Sequence, residues 1–341
     1  MSQSLTTQSV LVLGANGRLG RAVVKAFAAA GWRVLAQARR PLVDASHSNV
    51  RPLAVDLGGA AALAESLGGA DVVVNAINPL YTAWDTEALP LARMAMSVAL
   101  RLNATLIFPG NVYNFGASMP TQLLESTEQH PSTPKGLLRQ QMERELKDAT
   151  ADGLRSIVLR AGDFIGDWGT GTWMDMAILK DLPKHRVTYP GPLDVVHSWA
   201  NLPDLARSMV ALAEIRAQCA AHALYHFPGY AVTGKQFIAE LTQAARGTHL
   251  LAPDQELKTS SFPWPVIRLG GLLVPMWREI SRMRYLWTVP HQLDGDKLAQ
   301  AIGSIPHTPL EQALGDLLRQ AGFVGTAAVS GTNSSQQQHA L

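Results

Sequence analysis

The stretch "VLVLGANGRLGRAVVKAF", residues 10–27, decides the fold. Four apolar residues run into Gly14, glycine returns at 17 and 20, and an amphipathic helical pattern opens at once. Side chains at such a turn would block a pyrophosphate, whereas bare amides and the dipole at a helix start favour negative charge. Glycines at this spacing are a weak signal alone. Following an apolar strand and opening a helix, they predict the first crossover of a dinucleotide-binding sheet.

Further along, short β-branched runs alternate with alanine-rich helical stretches up to residue 160. Strands are expected at 9–14, 33–38, 50–55, 71–76, 104–109 and 155–160, with helices at 18–30, 59–67, 85–102 and 135–151. Several strands are apolar on both faces, as in a parallel sheet buried between helices. The fold class is therefore α/β: a Rossmann doubly wound parallel sheet over 8–165, with a smaller C-terminal substrate-binding region over 166–321 that sends some segments back to the core. Two later helices are expected, at 202–218 and, capped by Thr233, at 233–246; a third at 308–321 closes the ordered chain. Residues 322–341 are polar, low in complexity and expected to be disordered.

Composition narrows the function. The 341 residues are 47% apolar and 16% charged with a net charge of +2, the profile of a compact enzyme. Interspersed signs argue against nucleic acid as a partner. One cysteine, Cys219, excludes an intrachain disulfide and a multi-thiolate metal site; it reads as a buried small apolar residue and suits a cytoplasmic location. The histidines show no HxH or HExxH spacing, so no metal is expected. The N-terminus does not read as a signal peptide. The most membrane-like segment, "FPWPVIRLGGLLVPMW" (262–277), is too short to span and reads as buried or pocket-lining, with "REISRMRYLW" after it leaving a peripheral surface open; no membrane insertion is expected.

At the end of the second strand an acid would bind the 2′-hydroxyl of NAD, but the chain has "AQARRP". Arg39 and Arg40 could pair with the 2′-phosphate of NADP, and Arg18 in the glycine loop is a second candidate, so NADP is expected in preference to NAD.

With these motifs the chain resembles the short-chain dehydrogenase/reductase superfamily, in its extended or atypical, epimerase-like branch. "GANGRLG" is similar to that branch's GxxGxxG loop, which carries Gly14, Asn16, Gly17, Arg18, Leu19 and Gly20 into the cofactor site. "VDLGG" resembles the segment beside adenine, implicating Asp56 and Leu57, and "VVNAINP" resembles the strand end under the nicotinamide ribose, implicating Asn75, Ala76 and Ile77. Asn78, Tyr81, Phe164, Trp168 and His197 fall where a substrate pocket would lie. Similarity continues through "GNVYNFG", "VLRAGDFIG", "HSWANLPDLARSMVAL" and "TPLEQALGDLL", covering about residues 8–320.

The resemblance breaks at the reacting centre. Family members carry Tyr-x-x-x-Lys on one helix face; here those positions are Lys135 and Arg139, and the upstream serine or threonine falls at Pro109 or Gly110, beside Asn111. A lysine one turn from a permanent cation and against apolar walls has its ammonium form disfavoured, which could make Lys135 a usable acid; otherwise Lys135 and Arg139 are the solvated first turns of a helix after Pro134, or cations that bind a phosphate or carboxylate in the substrate pocket. Arg139 could replace the motif's lysine at the ribose, Asn111 could orient a carbonyl, and Tyr113 could offer a hydroxyl. His197 stands where extended relatives often grip a nucleotide-sugar phosphate with arginine; it is either a pocket residue or a core histidine with satisfied hydrogen bonds. Trp168, Trp173 and Met174, in "GDWGTGTWMDM", could cover an apolar substrate or serve as core. The expected function is an NADP-dependent oxidoreductase acting on a carbonyl/alcohol pair of a small organic substrate. A non-catalytic NADP(H) redox sensor and an epimerase or dehydratase are the alternatives, and relatives often form homodimers through the helices at 85–102 and 135–151.

Overall fold

The computed structural model describes residues 8–43, 46–55 and 60–325. In chain order the first half runs β1 (Ser9–Leu13), α1 (Arg18–Ala29), β2 (Arg33–Ala38), β3 (Val50–Ala54), α2 (Ala60–Leu67), β4 (Val72–Asn75), α3 (Trp84–Leu102), β5 (Thr105–Gly110), β6 (Gln122–Leu123), α4 (Pro134–Asp148) and β7 (Arg155–Arg160). The second half runs β8 (Asp163–Ile165), β9 (Arg186–Tyr189), β10 (Val196–Asn201), α5 (Leu202–Glu214), β11 (His222–His226), β12 (Tyr230–Thr233), α6 (Gly234–Gly247), β13 (Lys258–Ser261), α7 (Trp264–Gly270), α8 (Pro275–Arg282), α9 (Tyr285–Thr288), β14 (Gln292–Leu293), α10 (Asp296–Ile302) and α11 (Leu310–Gln320).

The main sheet has seven strands in the order β3-β2-β1-β4-β5-β7-β11, all parallel. Alternation along β1 explains why it reads as continuously apolar. Val10 and Val12 pack on α1 and α5 through Val23, Phe27, Leu205 and Met209, while Leu11 and Leu13 face α3 and α4 through Ala95, Met96, Met142 and Leu146. Each fully buried leucine contributes about 2 kcal/mol. Two smaller sheets, β12-β10-β8 and β13-β9, form the second layer with α6 and α11 around Tyr189, Trp199, Phe237 and Trp287, and a third, β14-β6, packs in a separate cluster with Val112, Phe115 and Met283.

The Rossmann strands and helices lie within about three residues of their expected bounds. Thr233 caps α6 in a full capping box with Gln236. Cys219 is buried, its Sγ 3.6 Å from the Tyr225 hydroxyl. Three expectations need correction. The helix expected to reach 218 stops at Glu214, and the chain then returns to the main sheet as β11, whose "HALYH" is too short and too polar at its ends to announce a strand. The ordered chain also does not end near 321: Phe323 packs edge-on to Trp168 at 5.8 Å, and the Gly325 amide donates to Thr248 at 2.9 Å. Residues 326–341, with Asp56 and Leu57, lie outside the described residues. Finally, the 262–277 segment is not buried throughout. As a helical hairpin it turns Trp264 and Ile267 inward and leaves Val266, Leu269, Leu272 and Leu273 in solvent.

Candidate active site

The C-terminal ends of β1, β2, β4 and β5 open onto two corners, one at the glycine turn and one at a group of tyrosines. At the first, Gly17 caps α1 with no side-chain hydrogen bond, so the leading amides of a twelve-residue helix find no side-chain acceptor there. Gly14 has φ +79°, and a Cβ on it would come within 3.0 Å of the Ala76 carbonyl at the end of β4. At Gly20 a Cβ would lie 2.2 Å from the Gly14 carbonyl, so only glycine lets the helix start this close to the strand. The Asn75 side chain accepts from the Ile77 amide at 3.3 Å and shapes the adjoining strand end.

Asn16 ties this turn to the chain after β2. Its Nδ2 donates to the carbonyls of Pro41 at 2.9 Å and Arg40 at 3.2 Å, and its Oδ1 accepts from the Val43 amide. The clamp brings exposed Arg39 and Arg40 beside the glycine turn. Leu19 faces the other way, into the core. Gln37, which sequence reading passed over, is buried under the same turn, accepting from the Gly14 amide at 3.1 Å and donating to Val55 at 2.7 Å.

Arg18 does not join Arg39 and Arg40. Its guanidinium donates to the carbonyls of Asp167 and Gly166, both at 2.8 Å, and Arg21 forms a 2.9 Å ion pair with Asp167. Both arginines staple the loop after β8 onto the glycine turn. A guanidinium spent on buried carbonyls is not available to a 2′-phosphate, which corrects the expectation for Arg18.

At the second corner Lys135 is 2% exposed on the first turn of α4, and its ammonium meets the Glu279 carboxylate of α8 at 2.7 Å. It sits 4.5 Å above the Tyr81 ring. Arg139 points elsewhere, donating to the Pro109 carbonyl at 2.9 Å beneath the rings of Trp84 and Phe108. Lys135 is therefore not the lone ammonium beside a cation that sequence reading expected; a carboxylate 144 residues away neutralises it. Arg139, committed to the β5 carbonyl, likewise does not stand in for the ribose-binding lysine. Asn111 accepts from the Tyr113 amide at 3.0 Å, so its carbonyl oxygen shapes a turn.

Tyr113 and Tyr81 both pack against the cluster formed by Val112, Phe115, Met119 and Leu286. Burial raises the Tyr113 phenol well above its ordinary value and the Asp163 carboxylate raises it further, against an opposing pull from Arg139. Burial also raises Tyr81, with Tyr113 and Asp163 adding to it. The Tyr285 hydroxyl closes the group from α9, donating to the Tyr113 carbonyl at 3.4 Å. Asp163, Glu279 and Tyr285 were not anticipated, since no local pattern marks them. "LRAGDFIG" offered the one usable hint, an acid directly after a buried strand.

His197 is a core histidine and reaches this corner only through Asp163. Its Nδ1 lies 3.1 Å from the Leu286 carbonyl, its Nε2 lies 3.0 Å from Asp163, and its ring stacks on Trp287 at 4.3 Å. Beside it burial, then the charge of His197, pulls His291 down to about 4. Phe164 is half-buried against the core. Trp168 packs on Phe323, and Trp173 inserts among Phe262, Trp264 and Trp287, so the aromatics of that loop are core. Asn78 is exposed after β4, three residues before Tyr81. Among the described residues no cluster of three His, Cys, Asp or Glu could hold a metal.

A family model described as the NAD dependent epimerase/dehydratase family matches residues 10–222, well over half of the chain. The chain belongs to that family. Its α/β architecture, a seven-stranded parallel sheet with smaller C-terminal sheets, is the one found in solved epimerase structures. MoeE5, solved with UDP-glucuronic acid and NAD, superposes with a TM-score of 0.71 at 18% identity, covering 92% of this chain and 99% of that one. The Bordetella bronchiseptica enzyme WbmH, solved with NAD+, gives 0.69 at 17% identity over 94% of this chain and 100% of its own. UDP-glucose 4-epimerase from Thermotoga maritima, solved with UDP-glucose, gives 0.69 at 15% identity over 92% and 99%. No curated protein matches the sequence. In this epimerase/dehydratase-family chain the glycine turn opens α1, and Lys135 and Arg139 stand on the first turns of α4.

Proposed function

We propose that this family member binds a nicotinamide dinucleotide across the glycine turn and works at one hydroxyl- or carbonyl-bearing carbon of a small, partly apolar substrate. The observation that carries the reading is the uncapped start of α1 under a turn with no side chains at 14, 17 and 20. Asn75, Ala76 and Ile77 would flank the ribose next to that turn. Arg39 and Arg40, clamped beside it by Asn16, favour NADP, since paired guanidinium groups match a 2′-phosphate while a strand-end acid is lacking. When bound, the nicotinamide exchanges the hydride.

The chain's own residues would handle the proton. Tyr113, packed in one cluster with Tyr81 and raised by burial and by the Asp163 carboxylate, is the group at the end of β5 that would give a proton to, or take one from, the substrate oxygen. Lys135 and Glu279 position Tyr81 from beneath through the ammonium over its ring. Family membership supports an epimerase- or dehydratase-type reaction, in which the hydride leaves and returns during one visit of the substrate. Net reduction is a second reading with a specific observation behind it: phenols raised well above their ordinary values stay protonated, and so serve better as acids toward a developing alkoxide than as bases. The nucleotide sugars bound by MoeE5 and the Thermotoga enzyme mark one substrate class to try. Here His197, buried and stacked, could not grip a diphosphate, which favours a substrate without one.

Purified protein with NADPH separates the readings. A reductase consumes NADPH with a member of a carbonyl panel and loses turnover, not binding, on Tyr113→Phe; an epimerase turns over its substrate with no net change in the nucleotide. Tight binding with neither activity would leave the redox-sensor alternative.

A further inference from the structure

We infer that the α7–α8 hairpin is a docking surface for an anionic lipid bilayer, on which the protein lies without spanning. Between its two short helices the hairpin exposes Val266, Leu269, Leu272, Leu273 and Val274, with Leu272 at 80% and Leu273 at 89%. These side chains lie in solvent at the turn between the helices, while Trp264 and Ile280 hold its base in the aromatic core. Leu80, 77% exposed, directly precedes the 3₁₀ turn Tyr81–Ala83 against which α8 packs, and so widens the apolar face toward the phenols.

Charge selects the occupant. From residue 258 to 291 the sequence holds Lys258, Arg268, Arg278, Arg282 and Arg284 against one acid, Glu279, which is buried and already paired with Lys135 at 2.7 Å and Arg282 at 2.8 Å, so the surplus stays positive. The four arginines are exposed on the same hairpin and the turn that follows it. An apolar tip with a cationic collar matches acyl chains below a negative headgroup layer. A second copy of the chain suits it poorly, because a two-fold contact would set the collar against itself. Among the described residues no helix is long and apolar enough to cross a membrane, in keeping with a surface contact. Docking here would put the Tyr81–Tyr113 corner, walled by the same α8, at the lipid surface. The docking does not depend on the reaction proposed above.

The test is co-sedimentation of the full chain with phosphatidylcholine vesicles, with and without phosphatidylglycerol as a third of the lipid. Sedimentation only with the anionic vesicles is expected, weakening as salt rises. Leu272→Asp with Leu273→Asp should cut the bound fraction about tenfold while the thermal midpoint stays unchanged, since both side chains are already in water. Arg268→Glu with Arg278→Glu should remove the preference for anionic lipid. The proposal is overturned by no sedimentation with anionic vesicles, by sedimentation that the leucine pair does not alter, or by a solution dimer that those two substitutions dissociate.

Discussion

The glycine-turn corner and the tyrosine corner share the same sheet end but are assembled in opposite ways. The first is local: Gly14 to Gly20 and Arg39 to Arg40 are consecutive stretches, tied by one asparagine. The second is assembled across the chain, with Tyr81 from the turn after β4, Tyr113 from the turn after β5, Lys135 from α4, Asp163 from β8 and Glu279 from α8. A local site keeps its sequence motif. A dispersed one can be rebuilt with no motif to show for it.

Breaking the dispersed corner should have the largest effect. Glu279→Gln leaves Lys135 buried without its carboxylate and should cost about 3–5 kcal/mol in chemical denaturation, while NADPH affinity of the folded protein stays the same. Replacing both partners, as Lys135→Met with Glu279→Leu, should recover most of that loss. Equal losses in single and double variants would mean that the ion pair is not what holds the corner.

The local corner should fail through binding instead. Gly20→Ala places a Cβ against the Gly14 carbonyl, and calorimetry should show NADPH affinity reduced on the order of 100-fold. An unchanged affinity would separate the turn from the nucleotide.

Acid should then weaken the layer behind the phenols. Burial pulls His226 down to about 3 and His291 to about 4, from an ordinary 6.5, so their neutral forms stabilise the fold fully above pH 6.5. That stability is lost as the pH falls toward those lower values, about 2 kcal/mol per imidazole by pH 4.5. Melting curves between pH 7 and 4.5 should show the decline, and His291→Asn should flatten it. The smallest effect is on cofactor choice: Arg39→Asp with Arg40→Ala should shift selectivity toward NADH by about tenfold, the worth of one phosphate contact.

Legibility in the sequence follows the same division. The sheet could be read because strands such as Val72–Asn75 are buried on both faces and helices such as α4 carry one apolar stripe, both local properties. The glycine turn could be read because its geometry excludes side chains. Lys135 could be placed on its helix, but its partner could not, because Glu279 comes from a hairpin whose packing alone brings it close. Arg18 was misjudged for the same reason: its partners, Gly166 and Asp167, lie about 150 residues on. The hairpin itself reads as apolar and is apolar, yet only the fold shows which of its side chains face outward.

Titration calorimetry of the full chain with NADPH and with NADH tests the central claim most directly. The account predicts a saturable heat with both nucleotides, stronger with NADPH and abolished by Gly20→Ala. No heat and no thermal protection from either would contradict it.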